Sequence, residues 1–268
     1  MLISVLGFAF MQLCVKFLMH IPTTELILFR SFVSVALSGI MIWREGISPF
    51  GNNKKFLILR GLFGTIALTL YFYTLQNLPI STAAILQYLS PIFTALFGIW
   101  LLKEPMKPLR WVFFAISILG VIVVKGFNPD LTTVYMLAGI ASAVFAGLAY
   151  NCIRILRNTD QPVVIVLYFP LVAIPIMAVL SYSNWVWPER SDWVMIVLMG
   201  VFTQIGQIYM TKALHIEKAN VVTSLKYTGI FYALAFDYLI FAVRYEWMTF
   251  VGIGLVLTGV LFNVIKKD

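Results

Sequence analysis

Residues 80–102 read ISTAAILQYLSPIFTALFGIWLL, a stretch without a single charge, closed by Lys103-Glu104. About 20 apolar residues in helical form cross the roughly 30 Å of hydrocarbon in a bilayer. Lipid offers backbone amides no partner, so such a run must bond internally as a helix. It is also too long and too evenly apolar for a strand of a membrane barrel.

Working outward, the same signal recurs along the chain. Leu2–Met19, Leu26–Trp43 and Phe56–Leu75 precede this run. Trp111–Val124, Leu131–Ile155, Val163–Leu180, Trp193–Met210, Val221–Val243 and Trp247–Ile265 follow it. The predicted fold is therefore an all-α membrane protein of ten transmembrane helices. Trp111–Val124 is the weakest of the ten, being short and followed at once by Lys125. Composition agrees: 61% of the 268 residues are hydrophobic and 11% charged, against about 45–50% and about 25% in soluble domains. The first run begins at Met1 with no basic residue before it and no small-residue cleavage site after it, so it reads as a retained span. Cys14 and Cys152 fall inside apolar runs, which argues against a disulfide framework.

The net charge of +8 would raise the question of nucleic acid in a soluble chain. Here the basic residues stand at the ends of apolar runs, and no nucleic-acid motif accompanies them. With the N-terminus in the cytoplasm, thirteen Lys and Arg fall on inner segments and three (Lys125, Arg190, Arg244) on outer ones. The inner set includes Arg44, Lys54, Lys55, Arg60, Lys103, Lys107 and Arg110. It continues with Arg154, Arg157, Lys212, Lys218, Lys266 and Lys267. That asymmetry is the positive-inside pattern. It predicts a multi-pass protein of a bacterial cytoplasmic membrane with both termini in the cytoplasm. Trp43, Trp111, Trp185, Trp187, Trp193 and Trp247 lie at run edges, where indole rings settle at headgroup level.

The two halves of the chain match weakly but in order. A shift of 138 sets Ser4 on Ser142, Cys14 on Cys152 and Lys16 against Arg154; a shift of 136 sets Gly64 on Gly200 and Tyr73 on Tyr209. After an insertion near Lys226, Ile92-Phe93 meets Ile230-Phe231, and Gly120-Val121 meets Gly259-Val260. Five spans per half is an odd number, so the second copy must enter the membrane upside down. The expected architecture is two inverted five-helix repeats, residues 1–125 and 131–265. Such repeats build many secondary transporters, with the solute site at the repeat interface near the midplane.

The residues that punctuate these runs carry a resemblance. Leu59-Arg60-Gly61-Leu62-Phe63-Gly64, Tyr71-Phe72-Tyr73, Ala83-Ala84, Leu89 to Leu96 and Lys103-Glu104 are similar to an EamA-type repeat of the drug/metabolite transporter superfamily. Lys16 with Arg30 resembles that family's opening, and Gly252, Gly254 and Gly259-Val260 its closing helix. The resemblance covers essentially the whole chain as two EamA units. It implies ten helices around a central cavity reached from two sides. It leaves the cargo open among amino acids, nucleotide-linked metabolites, organic anions and drugs. Pro91 is matched by Gly229 in the second half, and the first span carries no acidic residue, unlike the proton-exchanging small multidrug carriers.

Charges and amides inside the runs are the candidates for a solute site. Lys226 lies about five residues inside the ninth run with no obvious acidic partner, at a cost of about 2.5–3.5 kcal/mol on insertion scales. Gln12 and Lys16 share a helix face at i, i+4. Gly200, Gln204, Gln207 and Thr211 form one stripe of the eighth run. Tyr71 falls opposite Gln207 in the repeat, and Gln87, Tyr88 and Tyr150 are further polar tips. The candidate substrate-binding set is thus Gln12, Lys16, Tyr71, Gln87, Tyr88, Tyr150, Gln204, Gln207 and Lys226. The bland alternative is snorkelling for the cations and interhelical bonding, worth about 0.6 kcal/mol each, for the amides. Arg30 and Asp237 lie at similar depth and form a possible intramembrane ion pair. Gly139, Ala143 and Gly147 read as a close-packing face, and Pro91, Pro170 and Pro175 as sites of bending.

No catalytic constellation, phosphate loop, metal spacing or cofactor motif is present, so the chain is not expected to be an enzyme. The reading is a secondary transporter that moves a small polar metabolite, an organic anion or a zwitterion, by alternating access. One alternative is an exporter of amino acids or amphipathic drug-like compounds. Another is a membrane-embedded sensor or scaffold, although the longest inner loop, Arg44–Lys55, is short for signalling. Partners are the solute and the bilayer, with no nucleic acid; a monomer suffices because one chain holds both halves. A membrane-impermeant label is expected to reach both chain ends from the same, cytoplasmic side. Labelling of the two ends from opposite sides would contradict the span count.

Overall fold

The computed structural model describes residues 1–103, 108–127, 132–216 and 225–265. Glu104, Lys107, Lys218, Lys266, Lys267 and the start of the ninth run at Val221 lie outside the described residues. All regular structure among the described residues is helical: α1 Leu2–Phe17, α2 Thr23–Glu45, α3 Lys54–Asn77, α4 Ile80–Gln87, α5 Ser90–Leu101, α6 Pro108–Phe127, α7 Thr133–Leu156, α8 Pro162–Ser181, α9 Asp192–Ile216, α10 Gly229–Leu239 and α11 Trp247–Ile265. Among the described residues, six stretches are long and apolar enough to cross a bilayer: α2, α3, α4 with α5, α7, α8 and α9. Leu2–Phe17, Trp111–Val124, Gly229–Leu239 and Trp247–Gly259 are shorter apolar helices. Large apolar side chains such as Trp43, Trp100, Val179 and Leu239 point outward, as expected where lipid rather than water surrounds the bundle.

Helix ends follow local chemistry. Pro22, Pro79 and Pro162 stand at or just before the starts of α2, α4 and α8, where a missing N–H costs nothing. The Asn53 side chain caps α3 by accepting from the Phe56 amide. Gly46 ends α2 with φ +62°, and Ile47 N donates back to Ile42 O at 3.1 Å. That is the left-handed turn for which glycine is suited.

The fourth run is not one uninterrupted helix. At Tyr88-Leu89 the ladder tightens to three-residue spacing, with Leu89 N to Leu86 O at 3.2 Å and Ile92 N to Leu89 O at 3.0 Å. Pro91 stands in the first turn of α5 and lacks the amide that would continue the ladder. A similar tight turn precedes α10, with Ile230 N to Tyr227 O at 3.1 Å. The rings of Tyr88 and Tyr227, each at its turn, meet edge to face with centroids 5.2 Å apart.

Contacts run crosswise between the first and second halves of the chain. α1 lies along α9 and α3 along α7; α2 lies along α8, and α6 along α11. Hydroxyls and glycines set these crossings. Ser4 donates to Gly206 O at 2.8 Å, and the Ser142 hydroxyl lies 2.7 Å from Ala67 O. These are the two serines that the 138-residue shift superposes. A Cβ on Gly7 would stand 2.9 Å from Phe202 O and 3.1 Å from Gly206 N. Gly64 faces Phe169 of α8, whereas Gly200 faces Val33 of α2. Gly120 and Gly252 bring α6 and α11 to backbone contact. Of the expected small-residue face, Gly139 meets Leu86 and Gly147 meets Phe93 and Thr94.

Two clasps tie the ends of the bundle. At one end the α2–α3 loop holds the α7–α8 loop: Asn52 N donates to Asp160 Oδ1 at 2.6 Å, and Asn52 Nδ2 to Thr159 O at 2.5 Å. At the other end the α1–α2 loop and the first turn of α2 hold the start of α9 and the α8–α9 loop. His20 Nε2 lies 2.8 Å from Asp192 Oδ2, and Val186 N donates to Glu25 Oε1 at 2.8 Å.

Gly7→Val is expected to force α1 from α9 and cost about 1–3 kcal/mol, as overpacking does. Gly39→Ala, where a Cβ meets nothing within 4 Å, is expected to be neutral or mildly stabilising. Thermal unfolding of the detergent-purified protein checks both.

Candidate functional site

A cavity of about 120 Å³ opens between the two halves, lined by α1, α3, α4, α7, α8, α9 and the segment that leads into α10. It has room for several waters. The polar tips in its wall are Gln12, Arg60, Tyr71, Gln87, Tyr88, Tyr150, Gln207 and Lys226. Most of the remaining wall is apolar, from Val5 and Phe8 of α1 to Phe169 of α8. No carboxylate lines it among the described residues.

Lys226 is half-buried at the turn before α10. Its Nζ donates to Ser90 Oγ at 3.1 Å and to Tyr150 Oη at 3.2 Å, and lies 5.0 Å from the centre of the Tyr150 ring. These partners are neutral and come from α5 and α7, so the ammonium ties three elements together. Arg60, one turn and a half into α3, is 2% exposed. Its Nη2 donates to Gln207 Oε1 at 3.1 Å, and its Cζ lies 4.9 Å from the centre of the Phe169 ring. Gly64 makes that arrangement possible, since a Cβ there would stand 2.3 Å from Arg60 Nη1. A cation over an aromatic face gains about 0.5–2 kcal/mol. That is less than the roughly 2.5–3.5 kcal/mol charged for a cation at the centre of a membrane helix. Their hydrogen-bond partners are neutral and no carboxylate lines the wall among the described residues, so both cations keep a net positive charge that suits them to receive a negative group.

Seven of the nine expected residues line this cavity: Gln12, Tyr71, Gln87, Tyr88, Tyr150, Gln207 and Lys226. Two do not. Lys16 donates to Leu75 O at 3.2 Å and Leu78 O at 2.9 Å, at the C-terminal end of α3. There its charge meets the negative end of the helix dipole. Gln204 turns from the cavity to α2 and donates to Ser38 Oγ at 2.8 Å. The stripe on α9 divides because Gly200 and Gln204 face α2 whereas Gln207 faces α3.

The expected Arg30–Asp237 pair is replaced by two separate arrangements. Asp237 caps α4: its carboxylate accepts from Ile80 N at 2.9 Å and Ser81 N at 2.8 Å, and from Tyr245 Oη at 2.7 Å. Helix N-terminal amides supply the positive charge that the arginine was expected to give. Arg30 is 1% exposed and lies 4.9 Å from the centre of the same Phe169 ring that Arg60 covers.

Arg60 is the residue that sequence reasoning placed elsewhere, among the basic residues that orient the chain. The signal was present: Arg60, Gly64, Ala67 and Tyr71 follow the spacing i, i+4, i+7, i+11 and share one face of α3. Phe169 carried no polar mark and could not be singled out. No group of three or more His, Cys, Asp or Glu side chains suited to a metal occurs among the described residues.

Known proteins share this chain's pattern. The EamA-like transporter family matches residues 1–126 and again residues 133–265. The pseudopaline exporter CntI of Pseudomonas aeruginosa is 29% identical over 87% of this chain and 82% of its own length. Solute carrier family 35 member G1 of Homo sapiens is 30% identical over 99% of this chain and 78% of its own. An S-adenosylmethionine uptake transporter of Rickettsia prowazekii is 20% identical over 91% and 83%. A protein of known crystal structure superposes with a TM-score of 0.70, covering 96% of this chain and 94% of that one, at 19% identity; the likeness is one of fold. With two family matches that together span nearly its whole length, this chain belongs to the EamA-like transporter family.

Proposed function

We propose that the protein is a secondary transporter that carries a small polar metabolite, an organic anion or a zwitterion, by alternating access. The single observation that carries the proposal is a cavity between the two halves whose charged wall residues, Arg60 and Lys226, are both cations. A low-dielectric site with that balance attracts negative groups and repels cations. The neutral donors and acceptors around them, Gln12, Gln87 and Gln207, would orient the rest of the solute.

In this reading the chain forms ten membrane helices in two inverted five-helix repeats, residues 1–125 and 131–265, with α4 and α5 forming one span. The crosswise contacts support it, because exchanging the halves maps the α1–α9 contact onto α7–α3 and leaves α2–α8 and α6–α11 in place. The clasps support it too. A loop after the second helix of one half meets a loop after the first helix of the other, at each end of the bundle. Two opposed halves can pack in two related ways, one open to each side. Both termini lie in the cytoplasm, on the strength of the basic residues, and the host is a bacterial inner membrane.

The apolar share of the wall, with Phe8, Met11 and Phe169 beside Tyr71 and Tyr88, favours as second reading an exporter of amino acids or amphipathic compounds. The relatives' names, an exporter and an uptake transporter, support small-molecule transport and leave its direction open.

Uptake of organic anions into proteoliposomes separates the readings. Arg60→Met and Lys226→Met are each expected to cost about 2 kcal/mol or more in solute binding, roughly thirtyfold, while Arg44→Gln at the exposed end of α2 leaves uptake unchanged. Undiminished anion uptake in both cavity variants would remove the cations from the site.

A further inference from the structure

Arg30 takes no part in the cavity wall, yet it is buried to 1% exposure. Its Nε, Nη1 and Nη2 have no hydrogen-bond partner among the described residues. Ser34, one turn further along α2, also holds a buried hydroxyl without one. The guanidinium lies 4.9 Å from the centre of the Phe169 ring, and that ring is shared with Arg60 at the same distance. The two guanidinium carbons are therefore no further apart than twice that distance. Two like charges so placed repel each other, and one aromatic ring offsets neither their repulsion nor their desolvation.

Phe169 itself lines the cavity. It precedes Pro170, and Pro175 follows within the same helix. Each proline removes a backbone bond from α8 and is a site of bending in the helix that carries Phe169. The ring lies equally close to a cation in the wall and to a second cation outside it.

Resting on the proposed anion site, we infer that Arg30 is a second anion-binding position of the same site, reached when the Phe169 ring turns aside, and that the cargo is a small acid with at least two anionic groups. One acidic group is held by Arg60 and Lys226. The other meets the unpartnered donors of Arg30 and Ser34. Bidentate acceptors such as carboxylate and phosphate match the guanidinium fork. A single acidic group leaves the Arg30 donors unanswered.

The test is thermal stabilisation of the full-length, detergent-purified protein by acid pairs that differ by one acidic group, at matched ionic strength. The pairs are propionate and succinate, lactate and malate, glycerol 3-phosphate and 3-phosphoglycerate. Whichever pair binds, the member with the extra acidic group is expected to bind at least about tenfold more tightly. Arg30→Met is expected to remove that preference and leave the weaker acid's affinity unchanged, while Arg30→Lys retains part of it. Arg60→Met is expected to weaken both members. Equal affinity within every pair that binds, or a preference that survives Arg30→Met, overturns the inference and leaves the anion site standing. If no acid of any pair binds, the anion reading falls and this inference with it. The comparison within the wild-type protein decides the matter even if Arg30→Met fails to fold.

Discussion

Every charge carried into a lipid-embedded bundle has to be answered from within the protein, because the surrounding solvent offers no partner. That constraint organises the described structure. Asp237 is answered by the amides at the start of α4, Lys16 by the carbonyls at the end of α3, and Lys226 by Ser90 and Tyr150. Arg60 and Arg30 are answered least, by one glutamine and a shared phenylalanine ring. Asp237 and Lys16 join helices to one another. Lys226, Arg60 and Arg30 lie in or beside the cavity with no carboxylate facing them there among the described residues.

The scaffold that holds those charges rests on small residues and hydroxyls. Gly7 with Gly206, Gly120 with Gly252 and the Ser4 and Ser142 hydroxyls let helices of opposite halves meet at the backbone. Such contacts are directional and short, which suits a bundle in lipid, where apolar surface alone does not drive helices together. Beside the cavity, α4 and α10 meet at the capped Asp237 end, and Tyr88 and Tyr227 meet at their turns.

Much of this was legible in the sequence because lipid imposes a simple code. Run length marked the six described stretches that are long and apolar enough to cross a bilayer, and the structure extends several of them, α2 to Thr23–Glu45 and α9 to Asp192–Ile216. Polar residues in apolar runs pointed to the cavity wall. Hydropathy, however, cannot tell which side of a helix meets which neighbour. Gln204 and Gln207 are three residues apart on α9, yet one bonds α2 and the other Arg60 of α3. Arg60 was hidden by its position near the end of an apolar run, where a basic residue ordinarily serves orientation. The Arg30–Asp237 pairing failed because depth along the bundle axis was the sole guide, and helix-end amides compete with an arginine for a carboxylate.

Alternating access to a cavity that holds cations is the claim from which the rest follows. The most direct test is a single cysteine at Gln87, with Cys14 and Cys152 replaced by alanine, probed by a membrane-impermeant thiol reagent from each side of oriented vesicles. The account predicts reaction from both sides, at rates that a bound acidic solute slows. Reaction confined to one side under all conditions, or none from either, would contradict it.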